Sequence, residues 1–247
     1  MGRARFVFFC VVCVACGWRA ASAQETNIAA TLIPFDAMTE SNRALVQGVT
    51  DHYTLRREYG VTEFRARPEE LDFLLDHMDA CSVLAQSVGL IQYRATRDDQ
   101  GRVFADDHEG AAGYILPTLH HGSKRVYFLA GSEQGPFSVS GRAAAVVDVS
   151  EPKPDTIAYT GAIFIKVDNI VLAALTQLFS LFLRSTVDRH YGRVLGNPIA
   201  LSKMAYRDPG SLLARIEAMP PADRALLEPF ARLLREAPGG REGASNR

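Results

Sequence analysis

Between Leu90 and Asp168, apolar and polar residues alternate in short runs separated by turn-forming clusters at 97–101, 106–110, 121–124, 131–135 and 151–155. A period of two places successive side chains on opposite faces of a strand, so this stretch predicts an antiparallel meander. Its strongest runs are Arg142–Val149 and Thr156–Val167. In the second, Ile157, Tyr159, Ile163, Ile165 and Val167 share one face, while Ala158, Thr160, Ala162, Phe164 and Lys166 share the other. An apolar face opposite a mixed, weakly polar one suits a sheet covered by a helix or curved around a cavity.

On either side of the meander the period changes to that of helices. Leu45, Val49 and Tyr53 recur at every fourth position and predict an amphipathic helix over Glu40–Glu58, which Gly48 weakens. Val61–Arg67 alternates and reads as a first strand, with Thr62, Phe64 and Ala66 on one face. Pro68 then opens a helix, because proline's missing N–H has no partner in a first turn, and Glu69 and Glu70 complement the positive end of the helix dipole. Leu71, Leu75, Met78, Leu84 and Val88 form its buried stripe, with a break near Asp79 and a stop at Gly89.

Asp168 or Asn169 caps a long helix reaching Leu195, apolar nearly all round from Ile170 to Leu183. That apolar part is about 21 Å long at the usual helical rise, short of a bilayer core of about 30 Å, so it reads as a buried helix. Shorter helices follow over Pro209–Met219, behind an Asp208 cap, and Ala222–Arg235, where Pro229 introduces a kink. Residues 24–38 have no period, and 237–247 read as a disordered tail.

The N-terminus changes the setting. Arg3 and Arg5 precede the apolar run Phe6–Ala15 and the small residues Ala21-Ser22-Ala23, which is the layout of a secretory signal peptide cleaved after Ala23. Cys16, preceded by Val14-Ala15 and followed by Gly17, offers an alternative, since it resembles a lipobox cysteine that would be acylated; Cys13 stands where that pattern wants leucine. Both readings export the protein to the periplasm or cell envelope, with 24–236 as one domain. Loss of Arg3, Arg5 and Arg19 leaves 24 basic against 28 acidic residues, a formal charge of −4 that does not suit a nucleic-acid partner. Cys81 is then the sole cysteine, so no intramolecular disulfide forms.

Catalytic chemistry has few candidates. His120 and His121 are adjacent, so on a strand they point apart, and Gly122-Ser123-Lys124 behind them predicts an exposed hairpin. Asp106-Asp107-His108-Glu109 lacks the glycine placement of a calcium loop and reads as a solvated acidic turn. His77 and His190 have no partner at metal-site spacing, and Gly131–Gly135 does not match a nucleophile elbow. Cys81, between Met78 and Leu84, reads as a buried inert thiol, and Asp76 and Asp79 as a pair only in sequence. No cofactor or metal motif is present.

Strand, one or two short helices, a run of antiparallel strands and a long apolar helix directly after the last strand, across the junction Ile163-Phe164-Ile165-Lys166-Val167-Asp168-Asn169-Ile170, is an order that resembles the START-like (SRPBCC, polyketide cyclase-like) superfamily over about residues 59–195. The resemblance implies an α+β helix-grip fold, a curved antiparallel sheet gripping the long helix, with extra helices at both ends that cover the cavity or enlarge the domain. It implies an apolar ligand between sheet and helix and no particular chemistry. Leu175, Leu178, Phe179 and Phe182, facing Phe164 and Lys166, are then the candidate ligand-binding residues, and Lys166 and Arg184 are candidates for an anionic headgroup.

Three functions follow. One is a non-enzymatic envelope protein that binds a lipid or other hydrophobic small molecule, with possible membrane-surface contact. A second is an envelope interaction protein with a filled core, and a third a hydrolase- or cyclase-type enzyme using His120 or His121. The N-terminal reading has a direct check: the intact mass of protein purified from the envelope is expected to match a chain beginning at Gln24, whereas an acylated chain beginning at Cys16 would overturn cleavage after Ala23.

Overall fold

The computed structural model describes residues 28–90, 93–134, 139–168 and 196–237. Residues 28–32 are helical (α1), and a 3-10 turn, Phe35–Ala37, leads to α2 (Glu40–Thr50). Then come β1 (Leu55–Arg65), α3 (Pro68–Asp76), α4 (Met78–Ser87) and six further strands: β2 (Arg94–Arg97), β3 (Val103–Asp106), β4 (Ala111–His121), β5 (Lys124–Glu133), β6 (Val139–Lys153) and β7 (Thr156–Val167). Helical residues 196–207 (α5), Pro209–Glu217 (α6) and Pro221–Glu236 (α7) close the described chain. The fold is α+β, with one curved seven-stranded sheet in the order β1-β7-β6-β5-β4-β3-β2, antiparallel throughout.

The central strands are apolar on both faces, so both faces are covered. On the inner face Ile157, Tyr159 and Ile163 of β7, Ala145 and Val147 of β6 and Tyr127 of β5 pack against Leu71 and Leu75 of α3 and Met78 of α4. On the outer face Ala162 and Phe164 of β7, Ala144 and Val146 of β6 and Val126 of β5 pack against Ala29, Ile33, Met38, Val46 and Val49. Residues 28–50 thus form a cover over the outer face. Thr39 caps α2 by accepting from the Asn42 N–H, and Asn42 Nδ2 donates to the Thr118 carbonyl at 2.9 Å, tying α2 to β4.

A third core lies beyond α3 and α4, where Leu74, Cys81 and Leu84 meet Leu201, Leu212, Ile216, Leu227 and Phe230 of α5–α7. The C-terminal helices therefore enlarge the domain behind α3 and α4. The two helices α3 and α4 fall on either side of His77, and Gly89, at φ 75°, ends α4 in the left-handed region that glycine adopts freely. His77 stacks on Phe73, with centroids 4.3 Å apart, which makes it a packing residue.

Three expectations shift. The helix from Glu40 stops at Thr50 and not at Glu58, because Leu55 onward pairs with β7, Leu55 opposite Ile165; the buried positions are Val46 and Val49, and Leu45 is 40% exposed. Distant strand pairing outweighs the local helical period. The aperiodic stretch 24–38 contains α1 and the 3-10 turn within its described part. The long helix expected from Asn169 lies outside the described residues, as do the signal segment, His190 and most of the tail. No helix among the described residues is long and apolar enough to cross a membrane.

Two sets of ionic contacts, each with one buried partner, fasten α3. Arg125 of β5 is 2% exposed; its Nε donates to Asp76 Oδ1 at 3.0 Å and its Nη2 lies 2.8 Å from Asp72 Oδ1. Burial alone would lower its affinity for a proton, but the bond to Asp76 and the charges of Asp76 and Asp72 outweigh that and raise it. Arg67 donates to Glu70 Oε1 and, through Nη2, to the Ala205 carbonyl of α5, while Glu70 Oε2 is buried without a hydrogen-bond partner among the described residues. Burial, against the pull of Arg67, raises the Glu70 carboxyl above its ordinary value. A carboxyl raised in the folded state contributes stability at pH below its unfolded value, which is lost as the pH rises through the folded one. Glu70→Gln is accordingly expected to raise the melting temperature at neutral pH, with the gain vanishing below about pH 4.3; a gain unchanged across that range in calorimetric scans would contradict it.

Candidate functional site

Beyond the α3–α4 contact, the inner face continues toward the far ends of β4–β7 as two rows of cross-strand neighbours. The first row runs Val103, Ile115, Leu129, Ala143, Ile165. The next runs Ala105, Gly113, Gly131, Gly141, Val167. Three successive strands thus put glycine at the same height, and the sheet is bare where its neighbours would carry side chains. A Cβ on Gly131 would sit 2.6 Å from the Ala112 carbonyl oxygen, and one on Gly113 2.6 Å from that of Ala130, so the strands approach here as only glycine allows.

Above these rows lies a cavity of about 250 Å³. Ile115, Leu129, Ala143, Ile165 and Val167 supply its apolar wall, Tyr93 closes the α4 side, and Asp106, Asp107 and Arg142 border it. Below Tyr93 the thiol of Cys81 is wholly buried and unoxidised, and desolvation pushes its proton affinity up, so it is an inert packing group. The Tyr93 hydroxyl lies against that thiol, and burial raises it too.

Asp107 is not a solvated turn residue: at 9% exposed, its Oδ1 accepts from the Glu109 and Ala111 N–H groups, both at 2.9 Å. Asp106 Oδ1 does the same for the His108 N–H at 2.7 Å. These acids order the β3–β4 turn, with His108 at φ 55°. Among the described residues no three His, Cys, Asp or Glu side chains gather as a metal site.

The pleat places Phe164 and Lys166 on the outer face, opposite the cavity that Ile165 and Val167 line. Phe164 is fully buried under α2, edge-on to Tyr53 at 5.4 Å. The Lys166 ammonium donates to the Gly48 carbonyl at 2.8 Å, satisfying a last-turn carbonyl of α2 and complementing the negative end of that helix. Leu175, Leu178, Phe179, Phe182 and Arg184 lie outside the described residues.

His120 and His121 end β4 beside the Gly122 turn, exposed and remote from the cavity, which opens near Gly113 on the same strand. His120 Nδ1 is 3.7 Å from Asp76 Oδ2. Asp76 and Asp79 serve different partners, Arg125 for the first and Arg97 for the second, at 3.2 Å. The residues that sequence reading missed are the wall and the glycine row. Ile165 and Val167 were visible as one face of β7, but Gly113, Gly131 and Gly141 align only through the strand registers.

No family model and no curated protein matches this chain. Among solved structures, a conserved protein from Geobacillus kaustophilus is 15% identical over 59% of this chain and 96% of its own, with a TM-score of 0.42. The di-domain ARO/CYC protein BexL of the BE-7585A biosynthetic pathway is 13% identical over 63% of this chain and 53% of its own, TM-score 0.34. Dicamba monooxygenase bound to dicamba is 13% identical over 76% and 60%, TM-score 0.37. Likenesses this distant carry no chemistry across.

The two faces of β7 separate cleanly by experiment. Phe164→Ala is expected to cost about 3–5 kcal/mol in urea unfolding, as for a filled aromatic core position, and Lys166→Met about 0.3–1 kcal/mol as a lost helix-end contact. An undestabilised Phe164→Ala would argue against that packing.

Proposed function

We propose that this chain is an exported, non-enzymatic protein that holds a hydrophobic small molecule, a lipid or a comparable apolar compound, in the cavity over the glycine row. The observation that carries the reading is the cavity itself: about 250 Å³ above a floor of three aligned glycines, with an apolar wall. Aliphatic side chains at 113, 131 and 141 would fill this space; their absence leaves the sheet's main chain as the floor. A wall of Ile115, Leu129, Ile165 and Val167 offers a ligand dispersion contacts and release of ordered water, the usual terms of a small-molecule pocket.

In this proposal Leu175, Leu178, Phe179 and Phe182 supply the remaining wall. The path of the chain supports them. β7 ends at the cavity, whereas α5 lies near the opposite end of β7, where Lys203 sits over the Phe64 ring and Tyr206 accepts from Arg65. Arg65 is paired with Thr156, at the start of β7. The described chain thus breaks off at the cavity end of β7 and resumes near the other end. Export rests on the residues before Gln24. The far position of His120 and His121 favours binding over catalysis.

Native and organic-extract mass spectrometry of the protein purified from its own envelope fraction tests the reading. A stoichiometric apolar compound is expected in the wild-type extract and is expected to be lost from Ala143→Phe, which fills the cavity, while that variant keeps its melting transition. An empty wild-type protein that also takes up no apolar compound on exchange would sink the proposal and leave the filled-core interaction protein.

A further inference from the structure

We infer that the cleft between the end of α4 and the α5–α6 corner is a second binding site, for a small organic carboxylate; it is separate from the cavity over the glycine row and does not rest on the binding reading above. The cleft holds about 320 Å³ between Val88 behind α4, Met204 and Arg207 on α5, and Ser211, Leu212 and Arg215 on α6. Val88, Met204 and Leu212 are its apolar part, and Leu212, 3% exposed, is anchored in the third core. Arg207 and Arg215 bring two guanidinium groups to it and Ser211 a hydroxyl. Arg215 reaches back to α4, where its Nη1 donates to the Ser87 carbonyl at 2.6 Å. That bond uses one of the five donors of a guanidinium and fixes the side chain, so less rotamer freedom is left to lose when a ligand binds.

The positive charge of the cleft comes from these side chains and not from the start of α6. Pro209 has no N–H to offer there, and Asp208 Oδ1 accepts the Ser211 N–H at 2.9 Å. The Asp208 carboxylate also borders the cleft and repels an anion, but two guanidinium groups against one carboxylate leave a formal charge of +1. A guanidinium is planar, and its paired N–H groups match the two oxygens of a carboxylate. The apolar group of the same ligand then meets Val88, Met204 and Leu212, which a bare inorganic anion would leave unused. An apolar cavity of about 150 Å³ accommodates benzene, so this cleft has room for a ring with its carboxylate. Both arginines are exposed, so binding is modest in strength and weakened by salt.

Benzoate and benzamide share size and shape and differ in charge at about pH 7. Each is titrated into the full mature chain and followed through the backbone amide signals by NMR. Benzoate is expected to shift the signals of Val88 and of residues 204–215 saturably, and to bind about tenfold more tightly than benzamide. Arg207→Gln leaves the Ser87 contact in place, so it is expected to keep the melting transition while weakening benzoate about two- to fivefold. Raising the salt from about 50 mM to about 500 mM is expected to weaken it as well. The assignment is overturned if benzamide binds as tightly as benzoate, if the shifts fall on the glycine row, or if Arg207→Gln binds benzoate unchanged. An absence of saturable shifts at millimolar benzoate overturns it too, and none of these failures touches the proposal for the cavity.

Discussion

Strand β7 presents Ile157, Tyr159 and Ile163 to one side and Ala162 and Phe164 to the other, and neither side can be left to water. Its neighbours β6 and β5 repeat the pattern with Val147 against Val146 and Tyr127 against Val126. Burying apolar surface is worth roughly 25 cal/mol per Å², so a sheet with two apolar faces needs two covers. The α3–α4 pair supplies one and residues 28–50 the other. The N-terminal segment is thus part of the fold's core, and Phe164 owes its burial to it.

Covers held only by apolar contact can slide, and polar contacts fix their place. Arg125 rises from the sheet into Asp72 and Asp76 of α3, Asn42 of α2 reaches the Thr118 carbonyl, and Lys166 ends α2 against Gly48. Arg125 is buried while Asp72 and Asp76 stay partly in water, so the two carboxylates stand in for the guanidinium's lost hydration and fix its position. Here they hold α3 over one half of the inner face, so the other half, floored by Gly113, Gly131 and Gly141, is where a cavity forms. The same pleat that gives Ile165 and Val167 to the cavity sends Phe164 and Lys166 to the outer face, where α2 covers them.

Much of this was legible residue by residue. The turns at Arg97–Gly101, Asp106–Gly110 and His121–Lys124 fall at strand boundaries, because glycine and aspartate clusters act locally, whereas β6 runs on to Lys153 inside the expected turn 151–155 and β5 runs on to Glu133 inside the expected turn 131–135, where strand pairing prevails. The helix opening at Pro68, a break expected near Asp79 and found at His77, its stop at Gly89 and the Asp208 cap are likewise effects within a few residues. The end of α2 was not legible, since Leu55–Glu58 becomes strand only by pairing with Ala162–Ile165, more than a hundred positions away.

The sequence by itself determined which residues of β7 travel together, because a period of two needs no partner to define it: Ile163, Ile165 and Val167 form one set, Phe164 and Lys166 the other. It also determined that Cys81 would be buried and that the segments opening at Pro209 and near Ala222 would be helical, though not helix α5 before them. Tertiary structure alone decided which set of β7 meets the cavity and which meets α2, as both are apolar enough to be covered and local pattern cannot rank two covers. It decided, too, that Gly113, Gly131 and Gly141 stand in one row, because register is set by hydrogen bonds between strands and not by anything within one of them.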